Sequence, residues 1–478
     1  MTVYDETLYP GRPYPQSHPA HLAAVATLFG MSPAPVERCR VLEVACGDAA
    51  NLIPMALGLS GSQFVGFDLA RRPIEAGKSL AAQLGLRNLS LDVLDLREFP
   101  ADTPPFDYII AHGLYSWVPG PVRDQLLSLI AKHLAPQGVA FVSYNVYPGC
   151  YIRRMLWEML RFHTEHLDDP TQRAEEAQTL LRLLADGQSY PNDYGTLLRA
   201  EAARVLEREA AYLLHDDLAE TNEPVYFHQF LDHAQSHGLQ YVGEAELGAM
   251  STAGVTSQTR AVLEPLDPLM REQYLDFVRG RQFRQTLLCR DGVELDRAPS
   301  PARLNGLLLS MTARAQIAAH GTSDEQVLRT LVALLEERYP HRLSLEQTQI
   351  SLRERLGEIV SSRDANYLPG LILLAVRAGL LDIHASAPVV ARHPSERPQV
   401  FPLARLQSER GITVTNLCHD SVKLDDELAR TLVRLLDGTR DRAQLMQVLG
   451  EQLDGDQPRA AALEAHLQNL ARLALLMP

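Results

Sequence analysis

The chain has 478 residues, 46% hydrophobic and 22% charged, which excludes the low-hydrophobicity class of disordered proteins and, at roughly 100–200 residues per domain, predicts three or four compact units. Its 59 acidic residues outnumber 45 Lys and Arg, giving a net charge of −14 that repels phosphate backbones and argues against nucleic acid as a general partner.

Five scattered cysteines, Cys39, Cys46, Cys150, Cys289 and Cys418, show no paired spacing and are odd in number, so neither a disulfide framework nor a structural zinc site is expected and a reducing compartment fits. The start, Met1 to Thr7, lacks the basic and apolar segments of a signal peptide. The longest apolar runs, such as Leu52 to Leu59, fall far short of the ~20 residues that span a bilayer. A cytoplasmic protein without membrane insertion is expected.

In chain order, Arg40–Ala45, Gln63–Asp68, Leu89–Leu94, Phe106–Ala111 and Gly138–Tyr144 read as five strands. Each is followed by a helix-compatible stretch, the alternation of a mostly parallel sheet with crossover helices in an α/β unit over residues 1–165. From Thr171 to Leu214 the pattern turns to Leu/Ala/Glu/Arg helices, and strands return only at Val225-Tyr-Phe and Leu239-Gln-Tyr-Val, so 166–300 reads as a mainly helical middle unit. Thr322 as N-cap with Glu325 three residues on opens a helix; with two further helices and Leu380 to His384 it makes 301–390 a winged-helix-like module. Pro388, Pro394, Pro398 and Pro402 punctuate a linker into a C-terminal helical unit, 391–478, which fits a second such module, with a helix end at Gly438 and a new N-cap at Thr439.

The first strand ends in Glu43-Val-Ala-Cys-Gly-Asp-Ala-Ala-Asn51. A turn of small residues between strand and helix lets a ligand approach the backbone, where the helix N-terminus offers N–H donors. Asp68, at the end of the second strand, can accept both ribose hydroxyls; Asp95, after the third, can accept an adenine amine while Leu96 covers the ring. All converge on the crevice where open α/β sheets bind ligands. Only Gly47 of a dinucleotide glycine pattern is present, Ala49 and Ala50 standing where further glycines would sit, and no P-loop lysine follows. Glu43 would repel a pyrophosphate but suits a cofactor with a sulfonium and an amino-acid end.

Four longer stretches carry a resemblance: Val41 to Pro54, Phe64 to Leu69, Phe106 to Pro119 and Val142 to Gly149, joined by Tyr212 to Leu218 and Val225 to Phe230. They resemble class I S-adenosylmethionine-dependent methyltransferases with an appended regulatory domain, a family that includes the bacterial outer-membrane-protein lysine methyltransferases. The resemblance implies a Rossmann-like fold, S-adenosylmethionine as cofactor with S-adenosylhomocysteine as product, and cofactor roles for Glu43, Ala45, Cys46, Gly47, Asn51, Asp68, Leu69, Asp95, Leu96 and His112. It further implies that the proline-rich arm Tyr9 to His18 folds over the cofactor, with Tyr14 and Gln16 closing the site.

A lysine acceptor, with a pKa of ~10.4, must lose its proton before transfer, so its channel should disfavour the ammonium. An apolar channel with hydroxyl and amide acceptors would serve, and aromatic walls would hold a cationic or partly methylated amine by cation–π attraction. Tyr115 and Trp117, after the fourth strand, and Asn145 and Tyr147, after the fifth, are the candidates. His215-Asp216-Asp217 and the histidines from His228 to His237 offer ligand atom types, yet the reaction needs no metal and none is expected. The partner expected is a protein or peptide substrate rich in lysine, with a homodimer open. A peptide or small metabolite as acceptor, or a cofactor-binding protein without catalysis, are the competing readings.

Overall fold

The computed structural model describes residues 9–187, 192–208, 212–312, 322–453 and 458–478. The five expected strands form as β1 (Arg40–Val44), β2 (Gln63–Asp68), β3 (Leu89–Val93), β4 (Phe106–Ala111) and β5 (Leu134–Asn145). β1 and β4 are buried almost throughout and β5 from Gly138 to Asn145, as strands covered by helices on both faces must be. Their pairings are parallel: Glu43 lies beside Gly66 on one side and Ile110 on the other.

The sheet does not stop there. β6 (Leu239–Glu244) and β7 (Phe283–Arg290) extend it to seven strands in the order β3-β2-β1-β4-β5-β7-β6, β7 running antiparallel to both neighbours. The stretch expected as a mainly helical unit over 166–300 therefore divides. Its first part is helical, with Pro170–Asp186 and Asp193–Leu206, whereas 239–290 completes the sheet of the first unit. Val225-Tyr-Phe is corrected from a strand to a single bridge between Val225 and Val146. Tyr226 then caps helix Phe227–Ser236, its N–H donating to Gln229 Oε1 at 2.9 Å; this local capping box wins over β-propensity.

Arg284 of β7 is fully buried and meets three carboxylates: Glu244 Oε1 at 2.6 Å, Asp276 Oδ1 at 2.9 Å and Glu272 Oε2 at 3.2 Å. Its guanidinium also lies 3.9 Å from the centre of the Phe227 ring. The network ties β6, β7 and helix Pro268–Arg279 together.

Helix α1 (Pro19–Leu28) is apolar on every face and buried at nine of ten positions, the mark of an interior helix. His21 Nε2 lies 2.7 Å from the Ala245 carbonyl, and the Ala20 carbonyl accepts from the Ala385 N–H at 2.7 Å, so α1 joins the large sheet to the third unit. That unit has an antiparallel sheet, β10 (Leu381–His384), β8 (Leu308–Met311) and β9 (Leu343–Ser344), in that order. Its helices are Ser323–Arg338, capped by Thr322 as expected, Leu345–Leu356 and Tyr367–Arg377. Gly321, just before that cap, lies outside the described residues.

In the last unit a hairpin, β11 (Thr413–Thr415) and β12 (Ser421–Lys423), packs with helices that include Glu427–Leu435, Arg442–Leu449 and Arg459–Arg472. Pro402, expected in the linker, is the first residue of a short helix, where its fixed φ fits. The N-cap expected at Thr439 is Asp441, which makes a reciprocal capping box with Gln444; Thr439 turns back to Asp437. No helix among the described residues is long and apolar enough to cross a membrane.

Candidate functional site

At the C-terminal ends of β1 to β4 the chain encloses a cavity of about 680 Å³. Three residues of the loop after β1 adopt left-handed φ: Ala45 (57°), Gly47 (55°) and Ala49 (60°). This conformation costs the alanines energy and persists where the surroundings fix it. A Cβ at Gly47 would meet nothing within 4 Å, so backbone is bared to the cavity there. The loop is bound to β2: Asp68 Oδ2 accepts the Gly47 N–H at 2.9 Å and its Oδ1 accepts the Ala70 N–H at 2.8 Å.

Asn51 is the hub of the site, with all four of its amide hydrogen-bonding positions used. Its Nδ2 donates to Glu43 Oε1 at 2.9 Å and to Ser17 Oγ at 3.0 Å; its Oδ1 accepts the Tyr14 N–H at 2.9 Å and lies 2.8 Å from His419 Nε2. Glu43 is 4% exposed, and its Oε2 is buried with no hydrogen-bond partner. Burial pushes its carboxyl up to about 8, with Asp48 and Asp68 adding to the rise against the Asn51 bond. The orphaned oxygen and the negative neighbourhood suit a ligand that brings a positive charge.

The proline-rich arm lies over the site. Tyr14 packs against His112 with ring centres 3.8 Å apart and planes tilted by 50°, and Tyr9 meets Tyr212 and His215 edge-on. His112 Nδ1 is buried without a partner, and burial holds the ring neutral by pushing its pKa down to about 3. Burial raises the Cys46 thiol well above its usual range, which keeps it a small neutral loop residue. Asp95 differs from expectation in one respect: Arg97 grips it through both carboxylate oxygens and draws its pKa down to about 2.

Of the residues picked out by sequence, Tyr14, Glu43, Ala45, Cys46, Gly47, Asn51, Asp68, Leu69, Asp95, Leu96, His112 and Trp117 line the cavity. Gln16 does not; it sits in the 3-10 turn Pro15–Ser17, outside the lining. Tyr115 is buried against Phe230 on the other side of β4 and β5, its hydroxyl 2.9 Å from His233 Nδ1. Asn145 is buried too, its Nδ2 donating to Asn222 Oδ1 at 3.1 Å. Tyr147 stacks on Tyr151, with Arg154 donating to its hydroxyl. These three do not line the cavity: Tyr115 opens the 3-10 turn Tyr115–Trp117, and Asn145 and Tyr147 lie at the end of β5 and just beyond it.

Arg12, Asp48 and His215 also line the cavity, as do Asp168, Arg173 and Leu214 to Thr221 apart from Asp217. The Gly-Arg pair in the arm and the acid within the loop were the signals available for the first two. Asp216 and Asp217, read as metal-type residues, pair with Arg153. Asp124, His233 and His237 are the one group among the described residues whose ligand-type atoms lie within 4.8 Å of one another, and there the histidines face the carboxylate.

Residues 41–138 match the model of a methyltransferase domain, 209–290 that of a predicted methyltransferase regulatory domain, and 396–473 that of the PKMT C-terminal winged helix domain. An uncharacterized protein of Rickettsia prowazekii (strain Madrid E) is 27% identical over 474 residues, covering 93% of this chain and 85% of its own. A shorter one from the same organism is 35% identical over 233 residues, 48% of this chain and 93% of its own. The solved structure of PKMT2 from Rickettsia typhi in complex with AdoHcy (S-adenosylhomocysteine) superposes with a TM-score of 0.85 at 25% identity, covering 98% of this chain and 99% of that one.

Proposed function

The chain belongs to the S-adenosylmethionine-dependent methyltransferases that carry a regulatory domain and a PKMT-type C-terminal winged helix, and on that premise we propose that it methylates lysine side chains of a protein substrate. S-adenosylmethionine supplies a methyl group already activated on a sulfonium, so the protein needs no covalent nucleophile; it aligns the acceptor and manages its proton.

The buried, partnerless Oε2 of Glu43 fits the amino-acid end of that cofactor, and the bared backbone at Gly47 fits a ligand lying against the loop. In this reading Asp68 takes the ribose hydroxyls, Asp95 the adenine amine and Leu96 the ring face, while Tyr14 and His112 close the site. Asp95 is shared between the ligand and Arg97, whose guanidinium is largely exposed and free to swing aside.

The observation that carries the proposal is that one cavity is lined both by the strand-end residues and by Leu214, His215, Asp216 and Leu218 to Thr221, which fall in the regulatory segment. In the lining Glu43, Asp48, Asp68, Asp95, Asp168, Asp216 and Glu220 outnumber Arg12, Arg97 and Arg173, an acidic balance that draws in a cationic side chain. Trp117 and the neutral His112 give it an aromatic lining that can hold a cationic or partly methylated amine by cation–π attraction, while desolvation in the cavity favours the unprotonated form. PKMT2 from Rickettsia typhi supports the reading as a structural relative over nearly the whole chain. By task, the chain then divides into a catalytic unit (1–165), a regulatory and substrate unit (166–300) that lends two strands to the catalytic sheet, and two C-terminal modules (301–390 and 391–478).

Incubation with labelled S-adenosylmethionine and cell protein, followed by acid hydrolysis, tests the proposal. Label in methyl-lysine is expected. Label in methyl-arginine or a methyl ester overturns the acceptor, and label confined to small molecules overturns the protein substrate.

A further inference from the structure

Among the described residues the last unit contributes none to the cavity lining, yet it touches the site through the turn between β11 and β12. Between β11 and β12 the chain turns through Asn416 to Asp420. Asn416 Oδ1 accepts the N–H groups of Cys418 and Asp420, both at 2.9 Å, its Nδ2 donates to the Leu473 carbonyl at 3.1 Å, and the Leu417 N–H donates to the Ala474 carbonyl at 2.9 Å. This turn, fixed to the C-terminal helix, presents His419 with φ of 64° and 5% exposure, 368 residues away from Asn51 in sequence.

Asn51 Oδ1 can only accept, so Nε2 of His419 carries the proton and donates. The consequence lies on the other side of the amide. With Oδ1 held toward His419 and the Tyr14 N–H, Nδ2 is obliged to face Glu43 and Ser17. Rotated by half a turn, the amide would set its oxygen against the Glu43 carboxyl and its NH2 against the Tyr14 N–H, and would oblige His419 to carry its proton on Nδ1, where it has no acceptor. We propose that His419 is a positioning residue of the cofactor site: it fixes the orientation of the Asn51 amide, through which the C-terminal unit sets the alignment of Glu43 and of the arm, and so the affinity for the adenosyl cofactor.

The idea rests on the reading of the cavity as that cofactor's site. His419 is neutral, burial pushing its pKa down to about 3, so the contact is a neutral hydrogen bond to an amide whose four positions are all used, while His419 Nδ1 and Glu43 Oε2 stay without a partner.

The test is calorimetry with S-adenosylhomocysteine on the full chain, comparing the wild type with His419→Leu, His419→Gln, Asn51→Ala and the double variant His419→Leu with Asn51→Ala. Leu and Gln share the backbone strain at this left-handed position and differ in the donor. His419→Leu is expected to weaken binding about tenfold, the order that follows from one buried acceptor left unpaired, and His419→Gln to recover most of it. In the Asn51→Ala background, His419→Leu should have no further effect. Equal affinity of His419→Leu and wild type overturns the proposal, as do equal losses in Leu and Gln, or additive losses in the double variant. If the Leu variant does not fold, His419→Gly, which suits the φ, makes the same comparison against Gln. A wild type that fails to bind S-adenosylhomocysteine overturns the cofactor reading itself, and this inference with it.

Discussion

Asn51 Nδ2 holds Glu43 Oε1 at 2.9 Å and leaves the second carboxylate oxygen without a partner inside the protein. One half of the acid is thus anchored, and the other is kept for a ligand.

That arrangement sets a pH dependence. Burial raises the Glu43 pKa from 4.5 in the unfolded chain to about 8. Its contribution to stability is therefore complete below about pH 4.5 and is lost as pH rises through about 8, because between those values the folded state keeps a proton that the unfolded state has released. A ligand ammonium prefers the carboxylate, so affinity for S-adenosylhomocysteine should rise from about pH 6 to about 8 and then level, with a proton released on binding. Calorimetry in buffers of differing ionisation enthalpy measures this directly. Glu43→Gln should bind more weakly and remove the slope; a flat wild-type profile would show that Glu43 does not titrate on binding.

Asp68 braces the loop through the Gly47 and Ala70 N–H groups. Asp68→Ala removes both acceptors and the proposed ribose contact, and a loss of at least about tenfold in affinity for S-adenosylhomocysteine is expected. Unaltered affinity would take Asp68 out of the site.

Trp117 and Tyr115 stand two residues apart and should behave differently. Tyr115→Phe gives up the bond to His233 on the far side of the sheet, at a cost of about 1 kcal/mol in stability, and should keep turnover within about twofold. Trp117→Ala removes a cavity wall and should lower turnover about tenfold with less effect on cofactor affinity. Steady-state rates and unfolding curves on both variants separate the roles.

Arg284 is compensated by three buried carboxylates. Arg284→Met leaves Glu244 without its cation and Glu272 and Asp276 with Arg281 alone, and should lower stability by about 3–5 kcal/mol, read as a reduced midpoint in urea unfolding. A change of less than about 1 kcal/mol would mean that the acids take up protons and relax.

The cofactor end of the site was legible in the sequence because its residues sit where strands end, and short Val- and Leu-rich segments such as Arg40 to Val44 mark those ends clearly. β7 was not, because Arg284, Gln285 and Thr286 break the apolar pattern, and the acids that make Arg284 tolerable come from elsewhere in the chain. Tyr115, Asn145 and Tyr147 are close to the cavity in sequence, but closeness along the chain does not reveal which face of the sheet a side chain takes. His419 gave no sequence signal at all; its contact exists only once two distant units have docked.

Helix α1 leaves the ribosome some 350 residues before part of its cover, the strand ending at His384. At about 5–20 residues per second, the helix waits roughly 20–70 s with an apolar surface on every side. The nascent protein thus carries a long-lived sticky segment while it is made. Its yield should depend on chaperone capacity more than that of a protein whose interior helices find their partners at once.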